Sequence, residues 1–200
     1  MIPVIRALAA RIDIPISIDT MKAAVAREAL AEGAEIVNDV SSMEFDEGMA
    51  NVVADARAAV VLMHMRGMPK SMQAGDLAYS SLRGEIIAYL KKGIERAGDH
   101  GIDPTQIMVD PGLGFGKTAA DNMRLIKYLS EFKCLRRPIV VGASRKAFIG
   151  RITGGTPAER GEGTAAAVTA AILHGAQVVR VHDVALMRKV ATMADAVLRA

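Results

Sequence analysis

The chain has 200 residues, 51% of them hydrophobic and 24% charged, which is the profile of a globular chain with a real core and excludes a disordered one. Lys and Arg number 25 against 22 Asp and Glu, a formal net charge of +3, and no basic run tracks a phosphate backbone, so nucleic acid is not an expected partner. No apolar stretch is long enough to span a bilayer. No membrane association is expected on that ground, and the single cysteine, Cys134, which cannot form an intramolecular disulfide, fits a reducing compartment, so a cytoplasmic location is expected.

In chain order, residues 1–13 set Arg6 and Arg11 within an apolar periodicity, which predicts an amphipathic helix packed on a domain rather than a signal peptide. Six short apolar runs then predict strands: 14–18, 35–37, 59–63, 106–109, 139–141 and 177–181. Near-continuous apolar runs suit strands buried on both faces. Helical patterns lie between them, at roughly 21–32, 46–57, 80–99, 119–132, 157–173 and 184–198. The alternation predicts a parallel sheet in one domain spanning residues 1–200.

Local signals mark several boundaries. Thr118 with Asp121, and Thr156 with Pro157 and Glu159, read as capped helix starts. His174-Gly175 reads as a helix stop. A weak repeat relates residues 32–40 to 174–184, each a helix stop, a strand and a polar strand end. Cys134, between a helix and a strand, is expected to be a buried thiol. The longest irregular segments, 66–78 and 112–118, both follow strands, where the loops of a (β/α) barrel build the active face.

Every predicted strand ends in polar chemistry. The ends are Asp19-Thr20, Asn38-Asp39, Met63-His64, Asp110, Ser144-Arg145-Lys146, and Arg180 with His182 and Asp183. Turns and caps would account for any one of them; six together point to one binding site for a small anionic substrate. Arg180 and His182, two apart, share a strand face and form an anion clamp, unless they serve a salt bridge. Lys146 follows Gly142 and Ala143 and is read as a cation at a barrel mouth, with a solvated surface lysine as the alternative. Asp19, Asn38 and Asp110 offer the acceptors and donors that a flat heterocycle with adjacent N–H and C=O groups requires. The run from Asp110 to Lys117 carries Gly112, Gly114 and Gly116 at a spacing that fits neither a dinucleotide fingerprint nor a P-loop. Phe115, held among these glycines, is a candidate to stack on a flat ring.

These segments, in this order, resemble dihydropteroate synthase: Ser17-Ile-Asp-Thr20, Asn38-Asp-Val-Ser-Ser42, Leu62-Met-His-Met-Arg-Gly67, Asp110-Pro-Gly-Leu-Gly-Phe-Gly-Lys117, Gly142-Ala-Ser-Arg-Lys146 and Arg180-Val-His-Asp183. The resemblance covers essentially the whole chain. It implies an α/β (β/α)₈ TIM barrel, and a homodimeric transferase of folate biosynthesis that is a sulfonamide target. That enzyme condenses 4-aminobenzoate with 6-hydroxymethyl-7,8-dihydropterin diphosphate and releases pyrophosphate. It further implies that Asp19, Asn38, Asp110 and Lys146 hold the pterin, and that Met63, Phe115 and Gly142 shape its pocket. Ser144 would lie beside the aminobenzoate, and Arg180 and His182 would bind diphosphate. Lys146, Asp110, Arg180 and His182 are thereby the expected catalytic groups. Mg²⁺ is the expected cofactor, with its protein ligand outside this sequence. Six strands rather than eight imply that the first two βα units are absent from the sequence and that 14–18 and 177–181 are apolar edges. Three other readings stay open: a pterin-binding or methyl-transfer-type barrel without synthase activity, an inactive fragment of the synthase with part of the pterin pocket and little or no turnover alone, and a metallohydrolase barrel using His64, His182 and Asp110.

Overall fold

Among the residues described by the computed structural model, 1–67, 72 and 77–200, six short strands alternate with eight α-helices. In chain order these are α1 (Ile2–Ala9), β1 (Ser17–Asp19), α2 (Ala23–Ala31), β2 (Ile36–Asp39), α3 (Met49–Asp55), β3 (Ala59–Met63) and α4 (Leu82–Asp99). They continue with β4 (Ile107–Asp110), α5 (Ala119–Lys127), β5 (Val140–Val141), α6 (Ala147–Thr153), α7 (Gly161–Leu173), β6 (Val178–Val179) and α8 (Val184–Arg199). The chain divides into two compact units, Met1–His64 with Ala88–Val109, and Met65–Ile87 with Asp110–Ala200.

The first unit is built on a sheet of order β1-β2-β3-β4. β1 pairs in parallel with β2, and β2 with β3, with Asp19 opposite Asn38 and Asn38 opposite Val61. Val37, Val60 and Leu62 are completely buried, as are Ala26 and Ala29 of α2 and Met49 and Val53 of α3. Small residues on α2 allow close helix approach, while the branched strand residues fill the sheet face. Gly33 ends α2 with a φ of +103°, and a Cβ there would lie 2.6 Å from the Ala9 Cβ, so the turn also lets α1 dock. Arg6 of α1 pairs with Glu32 at this junction.

The second unit carries the parallel pair β5-β6, with Val140 opposite Val178 and Val141 opposite Val179. Val168 and Ile172 of α7 pack on Met187 and Ala194 of α8, and Val179 and Val181 press against this cluster. Burying such side chains contributes about 1.5–3 kcal/mol each. α8 starts at Asp183, whose carboxylate accepts the Leu186 N–H at 3.1 Å, a cap worth about 1 kcal/mol. α5 begins with the expected capping box: Thr118 Oγ1 accepts from Asp121 N and Asp121 accepts from Thr118 N, both at 3.1 Å.

Several expectations are corrected. β1 starts at Ser17 rather than 14, because Pro15 has no N–H for a ladder and Ile14 is exposed. The predicted helix at 119–132 stops at Lys127 and continues as a 3₁₀ turn, Leu129–Leu135. The Thr156 capping box closes a 3₁₀ turn, Pro157–Glu159, and α7 begins only at Gly161. α6 was not expected, since Gly150, Ile149, Ile152 and Thr153 are weak helix formers; burial of Phe148 and Ile149 holds it. Cys134 is exposed, not buried, because it lies on the 3₁₀ turn whose buried side is taken by Leu129 and Phe132. Most of the irregular segment 66–78, namely 68–71 and 73–76, lies outside the described residues. The repeat is borne out: Gly33 and Gly175 take φ values of +103° and +107° and precede β2 and β6.

Candidate active site

Asp110 closes β4 and opens the glycine-rich turn of the second unit. Its carboxylate is only 6% exposed and accepts the Gly112 N–H at 2.7 Å. Burial pushes its carboxyl up from the usual carboxylate range, against the opposing pull of Lys146, the Gly112 N–H, Lys117 and Arg180. One carboxylate therefore sits within the field of three cations.

Lys117 is 2% exposed, and its Nζ donates to the Gly112 and Phe115 carbonyls at 2.9 Å each. Burial lowers its ammonium to about 7, with Asp110 pulling the other way and Lys146 adding repulsion. Lys146 Nζ lies 4.5 Å from the Phe115 ring centroid, a cation–π contact, and donates to the Leu113 carbonyl. The Tyr79 hydroxyl donates to the Gly116 carbonyl at 2.9 Å, and the Gly114 N–H donates to Asn122 Oδ1 at 2.7 Å. The turn at 112–116 is thus held from outside by Lys117, Lys146, Tyr79 and Asn122. Its glycines make this possible: a Cβ on Gly116, at φ +63°, would lie 2.6 Å from the Arg66 carbonyl oxygen. A cavity of about 290 Å³ adjoins the turn, walled by Phe115, Phe148, Lys146 and Arg151.

Beyond β5, Gly142 lies beside Arg180, whose Cβ would be in ordinary contact, 4.0 Å, with a Cβ at that glycine. Ser144 is buried, and its Oγ accepts the His182 backbone N–H at 3.3 Å and lies 2.9 Å from His182 Nδ1. Ser144 Oγ can donate to Nδ1 or accept from it, and in either tautomer the contact fixes the orientation of the imidazole. The predicted alternation holds past β6: Val179 and Val181 face the core, while Arg180 and His182 are exposed. Arg180 continues the ladder, donating its N–H to the Val141 carbonyl at 2.9 Å. The structure thus brings Asp110, Phe115, Gly142, Ser144, Lys146, Arg180 and His182 onto the second unit.

Asp19, Asn38 and Met63 belong to the first unit, each at a strand's C-terminal end. Asp19 is exposed, whereas Asn38 and Met63 are buried. Asp39 is completely buried and accepts from Ser41 N at 2.8 Å, Ser41 Oγ at 2.6 Å and Met43 N at 3.1 Å. It shapes the following turn, where Ser42 and Met43 take positive φ, and burial pushes its carboxyl up. His64 stands edge-on to Tyr89 at 4.9 Å, and the Tyr89 hydroxyl donates to the Ser41 carbonyl. Among the described residues no three His, Cys, Asp or Glu side chains come together as metal ligands, so the metallohydrolase reading finds no ligand set.

Lys117, Asn122 and Tyr79 are site-building residues that sequence reasoning passed over. Lys117 stood inside the quoted glycine motif, and its terminal cation after three glycines was the available signal. Asn122 acts on a main-chain group across the adjoining turn and Tyr79 on one remote in sequence, and neither is announced by a local pattern.

The profile of the pterin binding enzyme family matches residues 1–182. The dihydropteroate synthase of Synechocystis sp. is 46% identical over 199 residues, 99% of this chain and 68% of that protein. This chain therefore spans about two thirds of that relative's length. The crystal structure of the Yersinia pestis dihydropteroate synthase with a sulfonamide drug superposes with a TM-score of 0.96 at 38% identity, over 100% of this chain and 72% of that one. The Xanthomonas albilineans dihydropteroate synthase with 4-aminobenzoic acid superposes with a TM-score of 0.92 at 39% identity, over 100% and 71%. On this evidence the chain belongs to the dihydropteroate synthase family of pterin binding enzymes, transferases of folate biosynthesis.

Proposed function

We propose that this chain condenses 4-aminobenzoate with 6-hydroxymethyl-7,8-dihydropterin diphosphate, with release of pyrophosphate, on a (β/α)₈-type barrel domain. The observation that carries the reading is the buried carboxylate of Asp110 in the field of Lys146, Lys117 and Arg180 at a strand's C-terminal end. A buried acceptor of this kind matches the ring N–H and exocyclic amine of a pterin, and Lys146 supplies a donor for its carbonyl. Phe115 offers a flat face beside Lys146. Asp19 and Asn38 carry the complementary acceptor and amide, and we assign them, with Met63, to ring recognition on the same chemical ground.

In the reaction the bond from the pterin methylene carbon to the diphosphate oxygen breaks, and its electron pair leaves on that oxygen. The amine nitrogen of 4-aminobenzoate forms the new bond and loses a proton. Arg180 neutralises the charge growing on diphosphate, His182 adds a hydrogen bond to it, and Ser144 orients His182. The Asp110 carboxylate balances positive charge developing on the pterin. The aromatic and cationic walls beside Lys146 and Arg151, together with Ser144, suit an aryl carboxylate. Mg²⁺, when bound, would add to the neutralisation of charge on the leaving diphosphate; it would be held chiefly by the substrate phosphates, since no cluster of three ligating side chains is present among the described residues.

We further propose a cytoplasmic homodimer. The lone Cys134 suits a reducing compartment, and Leu173, Val184, Met193 and Val197 leave apolar surface exposed on α7 and α8. No helix among the described residues is long and apolar enough to cross a membrane. The test of function is pyrophosphate release from the pterin diphosphate, followed with and without 4-aminobenzoate. Release that requires the amine is expected; pterin binding without release would leave the chain a binding module.

A further inference from the structure

We infer that Arg160 and Thr164, outside every motif quoted above, are positioning residues that hold the Ser144-Arg145-Lys146 turn in its working shape. Arg145 has a φ of +59°, a left-handed conformation that a non-glycine residue rarely adopts and that is strained without support. Something must hold it there. Its backbone N–H donates to Thr164 Oγ1 at 3.1 Å, and its carbonyl accepts from Arg160 Nη1 at 2.9 Å. Both main-chain polar groups of the strained residue are thus bound by side chains of one short segment. Thr164 lies one turn beyond Arg160, so the two stand on the same face at the start of α7.

The grip is itself rigidly mounted. Thr164 is 2% exposed. The Arg160 guanidinium donates a second bond to the Gly155 carbonyl at 3.3 Å and lies flush against α6. A Cβ on Gly150 would lie 2.5 Å from its Nε and 2.7 Å from its Cζ, so only glycine admits it there. A Cβ on Gly163 would lie 2.4 Å from Ile149, so α7 also approaches α6 through a glycine. Arg160 Nε is buried without a hydrogen-bond partner, so the guanidinium is placed by its contacts to carbonyls rather than by a carboxylate.

The neighbours of Arg145 are the two groups that matter. Ser144 bonds His182, and Lys146 faces Phe115 and Asp110. A peptide flip at Arg145 redirects both at once. Arg160 and Thr164 therefore act through Ser144 and Lys146, without touching substrate. The inference rests on the proposed function for what those two groups bind.

Calorimetric titration of the full chain with 6-hydroxymethylpterin and, separately, with pyrophosphate tests it. If the parent binds neither ligand, the functional reading fails, and the positioning roles with it. Given parent binding, Thr164→Val, which keeps shape but removes the acceptor, is expected to weaken both ligands at least tenfold. Thr164→Ser should bind as the parent does. Adding Arg145→Gly to Thr164→Val should recover most of the affinity, because glycine adopts φ +59° without an anchor. Parent-like affinity in Thr164→Val would overturn the inference, as would equal losses in Val and Ser with no recovery by glycine. Should the buried valine cost the fold, Arg160→Gln makes the test from the carbonyl side, and unchanged affinity there overturns it.

Discussion

Alanine at Gly116 would set a Cβ against main chain. The residue has a φ of +63°, and the added carbon would lie 2.6 Å from the Arg66 carbonyl oxygen and 2.8 Å from the Arg66 Cβ. The left-handed conformation alone costs alanine roughly 1 kcal/mol. Contact with main chain rather than with the end of a flexible side chain adds roughly 1–3 kcal/mol of overpacking strain. The total is about 2–4 kcal/mol, relieved only by moving the turn. That shift breaks the Tyr79 hydrogen bond to the Gly116 carbonyl and carries Phe115 away from Lys146. Gly114→Ala is the control: at φ +82° its Cβ would meet only the flexible Lys146 side chain, at 3.1 Å. It should cost roughly 1 kcal/mol. At about 2–4 °C per kcal/mol for a chain of this size, Gly116→Ala should melt about 4–16 °C lower and Gly114→Ala about 2–4 °C lower. Thermal melts by circular dichroism give the order, and pterin titration of the folded variant gives the consequence. Gly116→Ala melting with the parent and binding pterin equally well would refute the reasoning.

Arg180→Ala should weaken pyrophosphate binding roughly 10–150-fold, the loss of a charge-assisted bond of about 1.5–3 kcal/mol, while pterin alone still binds; equal loss of both ligands would point to misfolding instead. Lys117 predicts a pH dependence. Burial lowers its ammonium from 10.5 to about 7 in the folded chain, so between these values the unfolded chain holds the extra proton and stability from this group rises with pH. Urea midpoints of the parent should therefore gain more from pH 7 to pH 9 than those of Lys117→Met, and identical pH profiles would contradict it.

Much of the fold was legible because parallel strands buried on both faces leave compact apolar runs, and each of the six runs overlaps a strand. The polar strand ends were legible for a related reason: Asp19, Asn38, Asp110 and Arg180 stand where apolar pattern stops, so their chemistry is conspicuous. What was not legible depends on contacts remote in sequence. α6 owes its helix to burial of Phe148 and Ile149 rather than to propensity, and Cys134 is turned outward by a 3₁₀ turn that an α-helical pattern does not foretell. Tyr79, Arg160 and Thr164 bind backbone groups of other segments. A side chain that serves a distant carbonyl or amide carries no sign of it in its own neighbourhood.

The central claim is that the buried Asp110 carboxylate reads a pterin ring, and the most direct measurement is calorimetric titration of 6-hydroxymethylpterin into the parent chain and Asp110→Asn. The substitution keeps the size of the side chain and leaves one oxygen for the Gly112 N–H, but exchanges an acceptor for a donor. The account predicts that the parent binds and that Asp110→Asn binds at least tenfold more weakly with little change in melting temperature. Undiminished affinity in Asp110→Asn would make the aspartate a turn-forming residue and would contradict the account.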